Sequence, residues 1–192
     1  MTNHDDSDMK IFNPGTDCPE EDANDLGNLA ALLECHRQNG NTEKAKSLGE
    51  RLAVLTPDTS SGIDLYDLLE GADLPDEVMN QVRILLVFTA QNTLHEQLCP
   101  PLLSSCAVNA MYDKLVETEP AFYDGISDGA AFTFYALSVR KGEDVDENIG
   151  ENFAMLCGNE NNAAYRLLGT KTYQTARSLI TRIVDEYNFV DC

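Results

Sequence analysis

The sequence predicts an all-α protein with eight or nine helices. From residue 25 onward, apolar residues recur at spacings of three and four, which places them on one face of a helix. Prolines and glycines separate these stretches, and none shows the two-residue alternation of a strand. With 192 residues, 43% of them apolar, the chain can bury one core. We therefore expect a single helical domain over residues 25–192, after an acidic, loosely ordered arm over residues 1–24.

Capping residues and prolines predict where the helices of the first part begin and end. Asp25 can accept hydrogen bonds from the first free amides of a helix, and prolines end helices at the preceding residue. The predicted helices run from Asp25 to the turn Asn39-Gly40-Asn41, from Thr42 to Thr56, from Ile63 to Leu69, from the capping segment 73–77 to Pro100, and from Pro101 to Glu117. The fourth is apolar enough to be the central buried helix.

Glycines predict the breaks in the second part, because glycine favours turns and helix ends. After Pro120, Gly125 and Gly129 leave room only for a short turn. Further breaks are predicted at Gly142, Gly158 and Gly169. The predicted helices run from Asp128 to Arg140, from Asp146 to Cys157, from Asn162 to Leu168 and from Thr172 to Asn188.

The first helix pair has a recurring arrangement of large residues, a turn glycine, a small residue and a closing proline. These residues are Leu29, Leu32, His36, Gly40, Ala45 and Pro57. In them the pair resembles a tetratricopeptide repeat over residues 29–57. The resemblance implies a tetratricopeptide-like array of helix hairpins, as the alternative to a compact irregular helical bundle. It also implies that Glu34, Arg37 and Gln38 face a binding groove.

A second observation supports a repeat. Residues 48–55, Leu-Gly-Glu-Arg-Leu-Ala-Val-Leu, recur as residues 149–156, Ile-Gly-Glu-Asn-Phe-Ala-Met-Leu. Gly, Glu, Ala and Leu match, and the apolar positions are kept. Each copy follows a helix and a turn glycine, Gly40 or Gly142. The offset of 101 residues is close to three repeats of about 34 residues.

The net charge of −20, from 33 acidic and 13 basic residues, comes from acidic blocks at residues 1–25, 58–77 and 143–160. Nucleic-acid backbones and anionic membranes both require a basic surface, so we expect neither as a partner. The N-terminus lacks the basic and apolar regions of a signal peptide. No apolar run approaches the ~20 residues that span a bilayer. These observations predict a soluble, cytoplasmic protein.

The six cysteines and three histidines give few candidates for chemistry. Disulfide frameworks suit small secreted chains, and four of these cysteines fall in apolar helical patterns, so we expect reduced thiols. His95 and Cys99, four residues apart, can lie on one helix face and are the candidates for a metal site. Such a site requires three or four ligands, so we predict no metal and no other cofactor. The common nucleotide, hydrolase and zinc-protease motifs do not occur in the sequence.

Three hypotheses remain for the function. The first, which we favour, is a non-catalytic module that binds a protein partner through a helical groove or a helix face. The second is an acidic inhibitor or immunity-type protein that binds a basic partner, which requires residues 58–77 and 143–160 to lie on one face. The third is a helical enzyme or ligand-binding domain with a site near His95 and Cys99. Whether the chain forms a homo-oligomer is left open.

Overall fold

The structure, a computed structural model, describes residues 26–55, 74–127 and 129–192. Within these ranges the chain forms eight helices and no strands, which confirms the all-α prediction. The helices are α1 (Leu26–Gln38), α2 (Asn41–Ala53), α3 (Asp76–Gln97), α4 (Pro101–Thr118), α5 (Pro120–Ser127), α6 (Ala131–Lys141), α7 (Val145–Leu156) and α8 (Ala163–Glu186). No helix of this described part is long and apolar enough to cross a membrane.

Helix α3 is the centre of the helical bundle. It contacts α4, α6, α7 and α8, and Val82, Leu85 and Leu94 are fully buried on it. Residues 87–90 are all buried, so every face of α3 is covered at this level. A helix that is apolar on all sides belongs in the interior, which is why its composition predicted the central position.

The helices form a compact bundle and do not stack as a linear array. In a solenoid each unit contacts only its neighbours in sequence. Here α2 packs closely on α4, and α8 returns to pack on α3 and on α2. Of the two arrangements that the sequence left open, the structure therefore has the compact irregular bundle.

Two turn glycines end helices where the sequence predicted. Gly40 separates α1 from α2 with a φ of 81°, and Gly142 separates α6 from α7 with a φ of 71°. Side chains disfavour this left-handed conformation, so glycine allows the chain to reverse at both places. Both turns produce a pair of helices that contact each other.

Helix α3 begins later within the capping segment 73–77 than the sequence predicted. Its first residue is Asp76, Pro75 precedes it, and no side chain caps it. Asp76 and Glu77 occupy the first turn, where carboxylates interact favourably with the helix dipole. Asp73, the predicted cap, lies outside the described residues, as do the predicted helix over residues 63–69 and the N-terminal arm.

Two predicted breaks are wrong, because helices continue through the glycines. Residues after Pro120 form α5, which includes Gly125, where a short turn was expected. Helix α8 is continuous through Gly169, which was expected to divide it. A Cβ at residue 169 would lie 2.5 Å from Cβ and 2.8 Å from Cγ of Phe153 on α7. Glycine is therefore present at residue 169 to let two helices approach, a role that its sequence neighbours do not reveal.

The two similar segments, residues 48–55 and 149–156, make the same kind of contact. A Cβ on Gly49 of α2 would overlap the carbonyl group of Ala107 on α4. A Cβ on Gly150 of α7 would lie 2.5 Å from the carbonyl oxygen of Arg166 on α8. The residues before the two glycines are fully buried. Each segment therefore supplies the close crossing of one tightly packed helix pair, α2 with α4 and α7 with α8.

The expectation of reduced thiols is wrong for three cysteines. Cys35 on α1 forms a disulfide with Cys192, with 6.0 Å between their Cα atoms. Cys99 is disulfide-bonded as well, whereas Cys106 and Cys157 are free. The bonded pair is 157 residues apart in sequence, so no local pattern could bring the two residues together.

Candidate functional site

Helix α1 lies at the edge of the bundle and packs chiefly on α2. His36 is its only buried side chain among those described, while Leu32 and Cys35 are half-buried. Leu29 and Leu33, one turn apart, are 43% and 40% exposed. We call these two side chains the α1 leucine pair. The apolar face that the sequence predicted for α1 is thus covered along one flank and open along the other.

The structure brings together Glu34, Arg37 and Gln38, the predicted groove residues, on the exposed side of α1. Two nitrogens of Arg37 donate to the Glu34 carboxylate at 2.8 and 2.6 Å, and Gln38 Nε2 donates to it at 2.8 Å. The hydrogen bond from Arg37, followed by that from Gln38, lowers the pKa of Glu34 to about 2. Arg37 follows Leu33 by one helical turn, so this polar cluster borders the α1 leucine pair.

The C-terminal tail, residues 188–192, returns to the α1–α2 turn and is held there by Asn41. Asn41 is fully buried at the start of α2. Its amide nitrogen donates to the Val190 carbonyl oxygen at 2.6 Å, and its side-chain oxygen accepts from the Val190 nitrogen at 3.1 Å. One side chain thus satisfies both main-chain groups of one tail residue.

His36 is part of the same network. Its Nδ1 accepts from the Asn41 amide nitrogen at 2.9 Å, because that nitrogen can only donate. The ring proton of the neutral imidazole therefore belongs on Nε2, which is buried without a hydrogen-bond partner. Asn41 thereby links the C-terminal tail to the only buried side chain described on α1.

Further contacts fix the end of the chain. Lys44 Nζ donates to the Asn188 carbonyl oxygen at 2.7 Å, and Asn39 Nδ2 donates to Cys192 Sγ at 3.2 Å. The disulfide to Cys35 closes this region covalently. Sequence reasoning assigned Asn39 and Asn41 only to a turn. Asn and Gly are the residues typical of exposed turns, so the sequence does not indicate that Asn39 and Asn41 also bind the C-terminal tail.

The two metal-site candidates, His95 and Cys99, lie at the end of α3 and just after it. His95 is half-buried, its Nδ1 lies 3.2 Å from Ser104 Oγ, and burial lowers the pKa of the imidazole. Ser104 is buried and donates to the Pro101 carbonyl oxygen at 2.8 Å. The sulfur of Cys99 is in a disulfide and is not a free thiolate. Among the described residues, no three His, Cys, Asp or Glu side chains are grouped to hold a metal.

His95 lines neither of two surface cavities that lie among the described residues. The first, of about 310 Å³, lies between α2 and α4 and is lined by Lys46, Glu50, Cys106 and Asp113, among others. Burial raises the pKa of the Cys106 thiol, so this thiol is not activated as a nucleophile. The second, of about 570 Å³, is an open hollow formed by residues 158–163 before α8.

The condition for the acidic-inhibitor hypothesis stays open, because residues 58–73 lie outside the described part. In the block at residues 143–160, Asp146 accepts from Gln174 at 2.6 Å, and Glu151 lies 3.9 Å from Arg166. These acids therefore have partners on α8. The chain matches no protein family, no curated protein and no solved structure with which it was compared.

Proposed function

We propose that this protein is a non-catalytic protein-binding module and that its partner docks on α1. The single observation that carries the proposal is the α1 leucine pair on a helix fixed at its other end by a disulfide. Apolar side chains spaced by one turn are the anchors of helix-in-groove recognition. Because α1 is already ordered, a partner does not have to offset the entropy of folding it.

The composition of the surface suits a small interface with a polar rim. Burial of a whole leucine side chain contributes about 1.5–3 kcal/mol, so the exposed two-fifths of Leu29 and Leu33 would contribute about 1 kcal/mol each. The neighbouring cluster around Glu34 supplies hydrogen-bonding groups at the edge, as interfaces commonly have.

The cytoplasmic location stays a prediction, and the disulfides count against it. Reducing compartments keep most protein thiols free, whereas oxidising compartments allow stable disulfides. The bonded state of Cys35 and Cys192 therefore favours an oxidising compartment. Alkylation of the protein immediately after acid quenching of its source cells, followed by peptide mapping, shows which state is present.

Site-specific photo-crosslinking tests the binding function. A benzophenone side chain placed at Leu33 should give a discrete ultraviolet-dependent adduct in the protein's native source, and Leu29→Asp should abolish it. The matched control is the same probe at Leu137 of α6, which is 46% exposed and outside the proposed surface. Absence of an adduct at Leu33, or an identical adduct at Leu137, would overturn the proposal.

A further inference from the structure

The Cys35–Cys192 disulfide lies at the surface, next to the end of the chain. Cys192 is exposed and Cys35 is half-buried. A dissolved thiolate can therefore approach Cys192 Sγ while the helical core stays closed. Exposure of a disulfide sulfur is a requirement for thiol–disulfide exchange, because the thiolate must attack one sulfur directly.

Helix α1 makes few contacts with the rest of the bundle besides this bond. It has 13 residues, and an isolated helix of this length is marginally stable in water. It packs chiefly on α2, and its only buried side chain among those described is His36. His36 is bonded to Asn41, which also holds the tail at Val190. Cleavage of the disulfide would therefore remove the covalent restraint on α1 and leave its packing on α2 and the His36–Asn41 hydrogen bond.

The core does not depend on α1 in the same way. The largest fully buried side chains lie on α2, α3, α4, α6, α7 and α8. Helix α3 makes its contacts with α4, α6, α7 and α8. The bundle can therefore keep its packing while α1 and the tail separate from it, which makes the opening local.

We infer that Cys35–Cys192 is a thiol–disulfide exchange site that controls whether α1 is fixed on the bundle, and that its substrate is a dithiol. One thiolate of the dithiol attacks Cys192 Sγ, the Cys35–Cys192 bond breaks, and Cys35 leaves as a thiolate that takes up a proton. The second thiol of the reductant then attacks the reductant sulfur that is bonded to Cys192 in the mixed disulfide, and Cys192 is released as a thiol. Two electrons pass to the protein, and the reductant becomes a disulfide.

Reduction would thus switch the docking surface off, a consequence that rests on the proposed function of α1. In the oxidised form the α1 leucine pair is presented on an ordered helix. In the reduced form α1 frays and a partner would have to order it again on binding. Oxidation restores the binding form without any change in the core.

Hydrogen exchange followed by mass spectrometry tests the inference on the full chain. The double variant Cys35→Ser, Cys192→Ser is compared with the oxidised protein, and Cys106→Ser, which changes a free thiol, is the matched control. We expect exchange at residues 26–38 to become at least about tenfold faster in the double variant, with residues 76–97 unchanged. The control should match the unaltered protein. Unchanged exchange at residues 26–38, or equal acceleration at residues 76–97, would overturn the inference.

A second arm uses the unaltered protein and millimolar dithiothreitol without denaturant. Iodoacetamide and peptide mapping should then find Cys35 and Cys192 alkylated while residues 76–97 keep their slow exchange. Alkylation of this pair only after denaturant is added would contradict the inference. Both arms read α1 without a partner, so they are independent of the crosslinking at Leu33. If α1 is released on reduction but Leu33 gives no crosslink, only the binding function is refuted. If Leu33 gives the crosslink but α1 is not released, only the exchange site is refuted.

Discussion

The close crossing of α2 and α4 gives a sharp test of the packing. Gly49 faces the main chain of Ala107 and Met111 at this crossing. A Cβ added at residue 49 would lie 2.9 Å from the Ala107 carbonyl carbon and 3.0 Å from the Met111 nitrogen, and closer still to the Ala107 carbonyl oxygen. Main-chain atoms of a helix cannot rotate away, so Gly49→Ala requires the two helices to move apart.

The magnitude follows from two opposing effects. Overpacking typically costs 1–3 kcal/mol, and a contact against main chain belongs at the upper end, about 3 kcal/mol. Alanine is favoured over glycine inside a helix by about 1 kcal/mol, which offsets part of this. The net loss for Gly49→Ala is therefore about 2 kcal/mol. In a protein of this size, this lowers the melting temperature by about 4–8 °C.

The matched control is Gly125→Ala on α5. Gly125 has ordinary helical geometry, and a Cβ there meets nothing within 4 Å. Only the helix-propensity gain remains, so this variant should melt about 1–4 °C higher. Circular dichroism at 222 nm during heating gives both values. If Gly49→Ala melts at or above the temperature of Gly125→Ala, the α2–α4 crossing is looser than these distances indicate, and Gly49 is not required for it.

Three other changes act on single hydrogen-bonding side chains. Asn41→Ala leaves His36 without its partner and removes both hydrogen bonds to Val190, so urea unfolding should show a loss of about 1–3 kcal/mol in the free energy of unfolding; a loss below about 0.5 kcal/mol contradicts this role. Arg37→Gln should raise the pKa of Glu34 from about 2 toward 4.5, measured by carboxyl carbon NMR, and an unchanged value would refute the pairing. Burial, and to a smaller extent the neighbouring Tyr123, raises the pKa of Tyr112 from 10.0 to about 12. The stability that the protonated Tyr112 contributes is therefore complete below about pH 10 and is lost as the pH rises to about 12. Tyr112→Phe should flatten the fall in urea midpoint over that range, and an equally steep fall would exclude Tyr112 as a cause.

Local signals were sufficient to predict most of the helices. Gly40 and Gly142 end helices because their left-handed conformation is a property of the residue itself. The apolar run of α3 predicted its central place for a similar reason, since every face of that helix carries apolar residues. These features are determined within a few residues of sequence and do not require knowledge of the partner helix.

The features that sequence reasoning missed depend on distant residues. Gly169, like Gly142, was predicted to end a helix, but Phe153 packs against it and the helix continues. Asn41 gains its role only because Val190 returns to it from 149 residues away. The tetratricopeptide resemblance placed Glu34, Arg37 and Gln38 together in a groove, and the three side chains do form one hydrogen-bonded cluster, on the exposed side of α1. Their use in binding stays a prediction.

The distribution of charge separates the two binding hypotheses. The described residues carry 19 of the 33 acidic residues and 12 of the 13 basic ones, so their net charge is −7. The remaining −13 belongs to residues 1–25, 56–73 and 128, outside the described helices. A partner held by charge would use residues 58–77 together with the described block at residues 143–160, and its association rate would fall steeply with salt. A partner docked on the α1 leucine pair meets two apolar side chains and a neutral Glu34–Arg37 pair, so its affinity would change little with salt.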